Sequence, residues 1–248
     1  MTNNFVRAKW PAPDNVIALT TTRSGGVSAP PFDSLNLGNN CGDNEMAVNE
    51  NRSRLYRALG LVREPCWLRQ VHGSRVIDVQ DESEIAGTGQ EADASISSVA
   101  GAACAILTAD CLPLFLCDLD ASMVAAAHCG WRGLQSGVIA SVIDAMNRDP
   151  KNLVAWLGPA IGALDYEVGD EVREAFVGPD NSFASAFQPN ENQRWQADLY
   201  TIATMQLKSL GVAAIYGGNE STYAEPGRFF SYRRDGPCGR MASLIWFE

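Results

Sequence analysis

Residues 103–128, ACAILTADCLPLFLCDLDASMVAAAH, decide the fold class. Three apolar runs, Ala103–Thr108, Leu112–Cys117 and Met123–His128, follow one another with only short breaks, the first through Ala109-Asp110. Each has strand length, and no helical segment separates them. A regular βαβ rhythm would need one there. The pattern therefore predicts an α+β domain rather than a doubly wound sheet.

Outward from this core, the same mixture continues. Upstream, Val16–Thr22 reads as a strand before a Gly25-Gly26 turn, and Ser28–Asn44 reads as a long loop rich in Pro, Gly, Asn and Ser. Loops of that length in compact domains are often functional. Glu45–Leu59 reads as a helix, capped by Asp43 or Asn44 and closed by Gly60. Cys66–His72 and Arg75–Val79 are strand-like, broken at Gly73-Ser74, and Ala92–Ile96 is a further short strand. Downstream, helices are expected over Ser136–Asn147, Val168–Val177 and Ala197–Leu210, with strands at Leu153–Leu157 and Val212–Tyr216. Phe229–Arg233 and Ala242–Phe247 are expected to pair with each other.

Composition narrows the function classes. At 248 residues, with 46% hydrophobic and 19% charged residues, the chain reads as one globular domain, 1–248, large enough for a sizeable core. A net charge of −10 repels phosphate backbones and argues against nucleic acid as a partner. MTNNFVRAKWPAPDN lacks the apolar segment of a signal peptide, and Val99–Ala109 is too short to span a bilayer, so no membrane association is expected. An odd number of cysteines, seven, without a CxxC pair fits a reduced, cytoplasmic protein better than a disulfide framework or a zinc finger.

The chain has only two histidines, and both sit where a strand meets a turn: His72 in RQVHGSRV and His128 in AAAHCGWRG. Cys111, in LTADCLPLF, occupies a third such position. Two imidazoles and a thiolate suit zinc, with bonds of about 2.0–2.3 Å. Spacing alone leaves open the alternative of hydrogen-bonded structural histidines and a buried cysteine. Asp110 can act as general base or substrate ligand, or simply close a turn. Arg132, between Trp131 and Gly133 near a helix start, can clamp an anion or remain a surface charge. Arg23 and Asn36 lie at opposite ends of the Gly/Pro/Ser loop, within reach of a polar ligand or as parts of the loop. Tyr232-Arg233-Arg234 reads as a solvated basic face.

Taken together, TTRSGGVS, DSLNLG, QVHG, TADCLP, HCGWRG, WLGPAIG, FFSYRRD and GRMAS, in this order from about Thr20 to Trp246, resemble the YfiH/YlmD family, also labelled multicopper polyphenol oxidoreductase or laccase-like. The resemblance implies a layered α/β/β/α fold related to a cysteine-hydrolase toxin domain. It also implies a metal on His72, Cys111 and His128. The implied activities are phosphorolysis of adenosine, inosine and methylthioadenosine, and adenosine deamination. Some bacterial members look like editing hydrolases for peptidoglycan precursors. Cys129 stands where the family pattern has a small residue, adding a thiol beside His128.

Four expectations follow. The first is a zinc enzyme on purine nucleosides with phosphate as co-substrate. Cys111 and Asp110 would be catalytic, Arg23 and Arg132 would bind phosphate, and Gln70, Asn36 or Asp110 would contact the nucleoside. The HxE…PCxxC signature of the zinc deaminases is absent, so deamination would need a different scaffold. The second is a copper-dependent phenol oxidase, though two histidines cannot furnish a multinuclear imidazole cluster. The third is metal-free hydrolysis with Cys111 as nucleophile and a histidine as base. The fourth is a binding or scaffold protein without catalysis.

Overall fold

The structure, a computed structural model, describes residues 4–79 and 89–248. In chain order it contains β1 (Phe5–Arg7), β2 (Val16–Thr21), α1 (Glu45–Leu59), β3 (Cys66–Trp67), β4 (Val76–Asp78), β5 (Ala94–Ser97) and β6 (Cys104–Thr108). Then come β7 (Leu112–Asp118), β8 (Val124–Cys129), α2 (Trp131–Gln135), α3 (Val138–Met146), β9 (Leu153–Leu157), β10 (Glu167–Val168) and α4 (Asp170–Val177). The remainder forms β11 (Phe187–Pro189), β12 (Trp195–Ala197), α5 (Leu199–Ser209), β13 (Ala214–Gly217), α6 (Tyr232–Asp235) and β14 (Met241–Phe247).

Period-two alternation sorts these strands into two mixed sheets, with one core between them and one on each outer face. One sheet runs β1-β2-β14-β6-β3 and the other β13-β9-β7-β8-β5-β4, beside a small β10-β12-β11 sheet. Along β7, Leu112, Leu114 and Leu116 face one way and Phe115 and Cys117 the other. The second set meets Ile106 of β6 and Ile245 of β14 between the sheets, where the Phe115 and Trp156 rings stack at 5.5 Å. Each such fully buried large side chain stabilises by about 1.5–3 kcal/mol. The leucines face Val142 of α3, Phe176 of α4 and Ile202 of α5. On the outer face of the other sheet, Leu55 of α1 packs with Leu19, Trp67 and Leu244. The layers are therefore helix, sheet, sheet, helix: a single-domain α+β fold with mixed sheets.

Local signals account for most boundaries. The α1 span is as expected: Asn44 accepts the Ala47 N–H at its start, and Gly60 closes it in the left-handed conformation at φ 66°. The helix expected over Ser136–Asn147 is α3, Val138–Met146, and Gly137 at φ 85° separates it from the short α2 before it, which the periodicity did not mark. The helix expected from Ala197 starts at Leu199, since the Asp198 carboxylate accepts the N–H groups of Tyr200 and Thr201. Val168 belongs to β10, not to the helix after it. Cys66–His72 is a strand only over its first two residues.

Phe229–Arg233 is not a strand. Ser231 accepts the Arg234 N–H and starts α6, and Phe229 and Phe230 are buried with Met241. Strand β14 pairs with β2 and β6 instead. Arg234 is no solvated charge either: it donates to the carbonyls of Thr222, Tyr223 and Phe229. Among the described residues no helix is long and apolar enough to cross a membrane.

Two of the links that cross between the sheets bear on the site. Strands β3 and β6 lie in the five-stranded sheet, β4 and β7 in the six-stranded one. The β3–β4 and β6–β7 connections therefore both pass from one sheet to the other. The first carries His72 and the second Asp110 and Cys111.

Candidate functional site

His128 shares the parity of Val124 and Ala126 on β8, so it faces the gap between the sheets, at the end of its strand. There it meets the two crossing links. The donor atoms of His72, Cys111 and His128 lie within 4.8 Å of one another, with His72 Nε2 at 3.9 Å from Cys111 Sγ. The imidazole rings of the two histidines make an edge contact at 4.7 Å. A tetrahedral ion with bonds of about 2.0–2.3 Å needs ligand atoms roughly 3.4–3.8 Å apart. The donor set and spacing fit such an ion with only small adjustments. Cys129 has the opposite parity and is buried under the helices, facing away from the trio.

Asp93, one residue before β5, organises all of this, although it belongs to none of the motifs singled out in the sequence. Its carboxylate is fully buried. Oδ1 lies 2.8 Å from His128 Nδ1 and accepts the His72 N–H at 2.9 Å. Oδ2 accepts the N–H groups of Val71 and Gly73 at 3.1 and 2.7 Å. With Nδ1 turned to a carboxylate, His128 presents Nε2 to the site. The same carboxylate holds His72 in the left-handed region, φ 61°, where a non-glycine residue needs support. One signal in the sequence could have found it: a charged residue between Ala92 and Ala94, in a run otherwise destined for the core.

The glycines of HCGWRG act by closeness rather than by turning. Gly130 has an ordinary extended backbone, φ −70° and ψ 163°. A Cβ there would stand 3.0 Å from Cys111 Sγ and 3.1 Å from His72 Cδ2. One at Gly133 would press on the His128 and Gly73 carbonyls at 3.1 and 3.3 Å.

Charge in the site is coupled. Burial opposes ionisation of Cys111, but the facing imidazoles of His128 and His72 outweigh it and bring the thiol down to about 6. Burial likewise opposes charging His128; the Cys111 thiolate and Asp93 outweigh it and raise the imidazole to about 9. Burial also works against ionised Asp93, yet the bonds from His128, Gly73 and Val71 keep its pKa below the usual carboxylate value.

The trio opens into a cleft of about 770 Å³, walled also by Gln70, Trp67, Arg52, Arg69, Tyr232 and Arg240. Of the expected substrate residues, Gln70 lines this cleft, although its amide is paired both ways with the Leu107 backbone at 2.8 Å. Asp110 is turned aside: Thr222 and the Arg233 N–H occupy its two oxygens at 2.7 Å each. Asn36 is fully buried and bonds Gly38, Asp43 and the Arg240 N–H. Arg23 lines a different depression, ion-paired with Asp33 and over the Phe230 ring. Arg132 lies over Trp131 on α2, outside the cleft wall.

The family model described as multi-copper polyphenol oxidoreductase laccase matches residues 17–248. The chain is 49% identical over 244 residues to "Purine nucleoside phosphorylase YfiH" of Escherichia coli, covering 98% of this chain and 99% of that one. It is 48% identical over 247 residues to "Purine nucleoside phosphorylase PA4543" of Pseudomonas aeruginosa, covering 99% of each. Among solved structures it resembles protein NMB0706 of Neisseria meningitidis, with a TM-score of 0.93 and 47% identity over 99% of both chains. It also resembles YlmD of Geobacillus stearothermophilus, with a TM-score of 0.91 and 28% identity over 100% of this chain and 97% of that one.

Proposed function

This chain belongs to the YfiH family, the multi-copper polyphenol oxidoreductase laccase family, and from that premise we propose that it is a zinc-dependent purine nucleoside phosphorylase. The observation that carries the reading is the convergence of His72, Cys111 and His128 on one point at the end of a cleft of about 770 Å³. A cleft of that size suits a small substrate. His72, Cys111 and His128 would hold the metal, which when bound supplies Lewis-acid polarisation. Adenosine, inosine and methylthioadenosine are the proposed nucleosides, and adenosine deamination is an accompanying activity.

In phosphorolysis an oxygen of inorganic phosphate bonds to C1′ of the ribose as the C1′–N9 bond breaks. The bonding pair leaves with the purine, which takes up the proton the phosphate gives up. The chain's part is to position. Asp93 fixes the His128 ring and the backbone of residues 71–73, Gly130 leaves room beside the thiolate, and the exposed ring of Tyr232 offers a flat face to a base.

Two measurements test the reading. Elemental analysis of protein purified without added metal should find about one zinc per chain, lost in Cys111→Ala. The zinc form should release base from inosine or adenosine only when phosphate is supplied. A fully loaded protein that releases none sinks the reading. Copper instead of zinc would shift weight to phenol oxidation at this single site, since both histidines of the chain are already used there.

A second reading draws on the line Cys111–His128–Asp93, which is also that of a thiol hydrolase of the cysteine-hydrolase toxin type. Sγ would add to an amide carbonyl of a peptidoglycan precursor, the amine would leave with the His128 proton, and water would cleave the thioester. Amide hydrolysis that survives chelation but not Cys111→Ala would select it.

A further inference from the structure

We infer that Arg240 is the phosphate-binding residue of the cleft, an inference that rests on the phosphorolysis reading. The geometry discriminates among the arginines. Arg69 is paired with Glu91 at 2.5 Å. Arg52 donates Nε and the NH2 nitrogen to the Leu37 carbonyl at 3.1 and 3.0 Å and lies over the Trp67 ring. Arg23 and Arg132 are outside the cleft wall. Arg240 lines the same cleft as the trio; its side chain hydrogen-bonds protein only through NH1, to the carbonyls of Cys238 and Gly239 and weakly to the Cys238 sulfur, and its guanidinium lies 5.8 Å from the centre of the exposed Tyr232 ring. Among the described residues no carboxylate pairs with it, and its Nε and NH2 edge has no protein acceptor. A guanidinium that no described carboxylate neutralises, facing a cavity in a chain of net charge −10, is a receptor for an oxyanion, which such an edge binds through two parallel N–H bonds.

The neighbouring segment holds the backbone of this residue in place. The Asn36 side chain accepts the Arg240 N–H at 2.8 Å, and Leu37 donates to its carbonyl at 3.2 Å. Any Cβ at Gly38 would stand 2.8 Å from Arg240 Cγ, so glycine makes room for the arginine stem. The DSLNLG and GRMAS segments, far apart in sequence, thus converge on the backbone and stem of Arg240. Asn36 is a positioning residue that acts through Arg240 rather than by touching the substrate.

The test uses the metal-loaded protein and two variants, Arg240→Ala and Arg240→Lys. The lysine form keeps the charge and guards against a folding failure in the alanine form. Steady-state kinetics with inosine should show the phosphate KM rising about tenfold or more, while the inosine KM stays within about twofold. Calorimetric titration with inorganic phosphate, without nucleoside, should show the same loss. Phosphorolysis with an unchanged phosphate KM overturns the inference and leaves the enzyme reading standing. Phosphate binding lost in the variants of a protein that does not phosphorolyse inosine keeps the oxyanion site and overturns the enzyme reading. Equal phosphate affinity in wild type and variants, or none in wild type, overturns the inference outright. A parallel titration with a nucleoside 5′-monophosphate separates the sources: weakening for that ligand alone would assign Arg240 to a substrate phosphate instead.

Discussion

At the scale of residues, the site depends on groups that do not themselves touch a ligand. All four groups around Asp93 are donors. An amide in its place keeps one acceptor oxygen and sets an NH2 against one pair of them. Asp93→Asn should therefore lower metal affinity about 10–100-fold and cost about 1–3 kcal/mol per unpaired N–H. Competition with a chromophoric chelator and urea unfolding read the two effects, and an unchanged affinity would refute the role. Gly130→Ala should separate them, losing metal while leaving unfolding nearly unchanged, because its backbone angles suit any residue. The ionisation pattern gives a pH prediction for metal-stripped protein. Stabilisation from the Cys111 thiolate is lost as pH falls through about 6, and that from charged His128 is lost as pH rises through about 9. Alkylation of Cys111 should accordingly be half-maximal near pH 6; a midpoint at the usual thiol value would contradict the ion pair. The trio is legible in the sequence because each member stands where a strand stops. Asp93 is not, because its role consists of backbone donors delivered by a link some twenty residues earlier. Arg23 and Arg132 stand within the family's motifs; in the folded chain Arg23 lines a separate depression and Arg132 lies over Trp131.

At the scale of elements, the outcome followed wherever a local cap was strong. Asn44 and Gly60 mark both ends of α1, and the three runs of residues 103–128 form β6, β7 and β8 with nearly the expected bounds. Where two signals competed, the polar cap won over the apolar periodicity: Asp198 displaced Ala197, and Ser231 turned an aromatic run into the start of α6. The break between α2 and α3 can be tested in isolation. A Cβ at Gly137 would meet nothing within 4 Å, so the cost of Gly137→Ala is purely that of a left-handed L-residue at φ 85°. That should amount to about 1–2 kcal/mol of unfolding free energy, with metal affinity and turnover unchanged. No loss of stability would mean that the left-handed turn at residue 137 is not required between the two helices.

At the scale of the molecule, the layers hang on a strand near the C-terminus. β14 fills the place between β2 and β6 and contributes to both faces of its sheet, with Leu244 under α1 and Ile245 between the sheets. Removing residues 241–248 should abolish cooperative thermal unfolding, and a truncated chain that still melts sharply would show that β2 and β6 can close the gap. This arrangement is illegible in sequence, since pairing between residues more than a hundred positions apart leaves no periodic trace. The links that carry His72 and Cys111 have one more consequence. Each leaves the five-stranded sheet and ends in a strand of the six-stranded sheet that holds His128, so a metal on the trio would act as a rivet at the seam where the two layers meet.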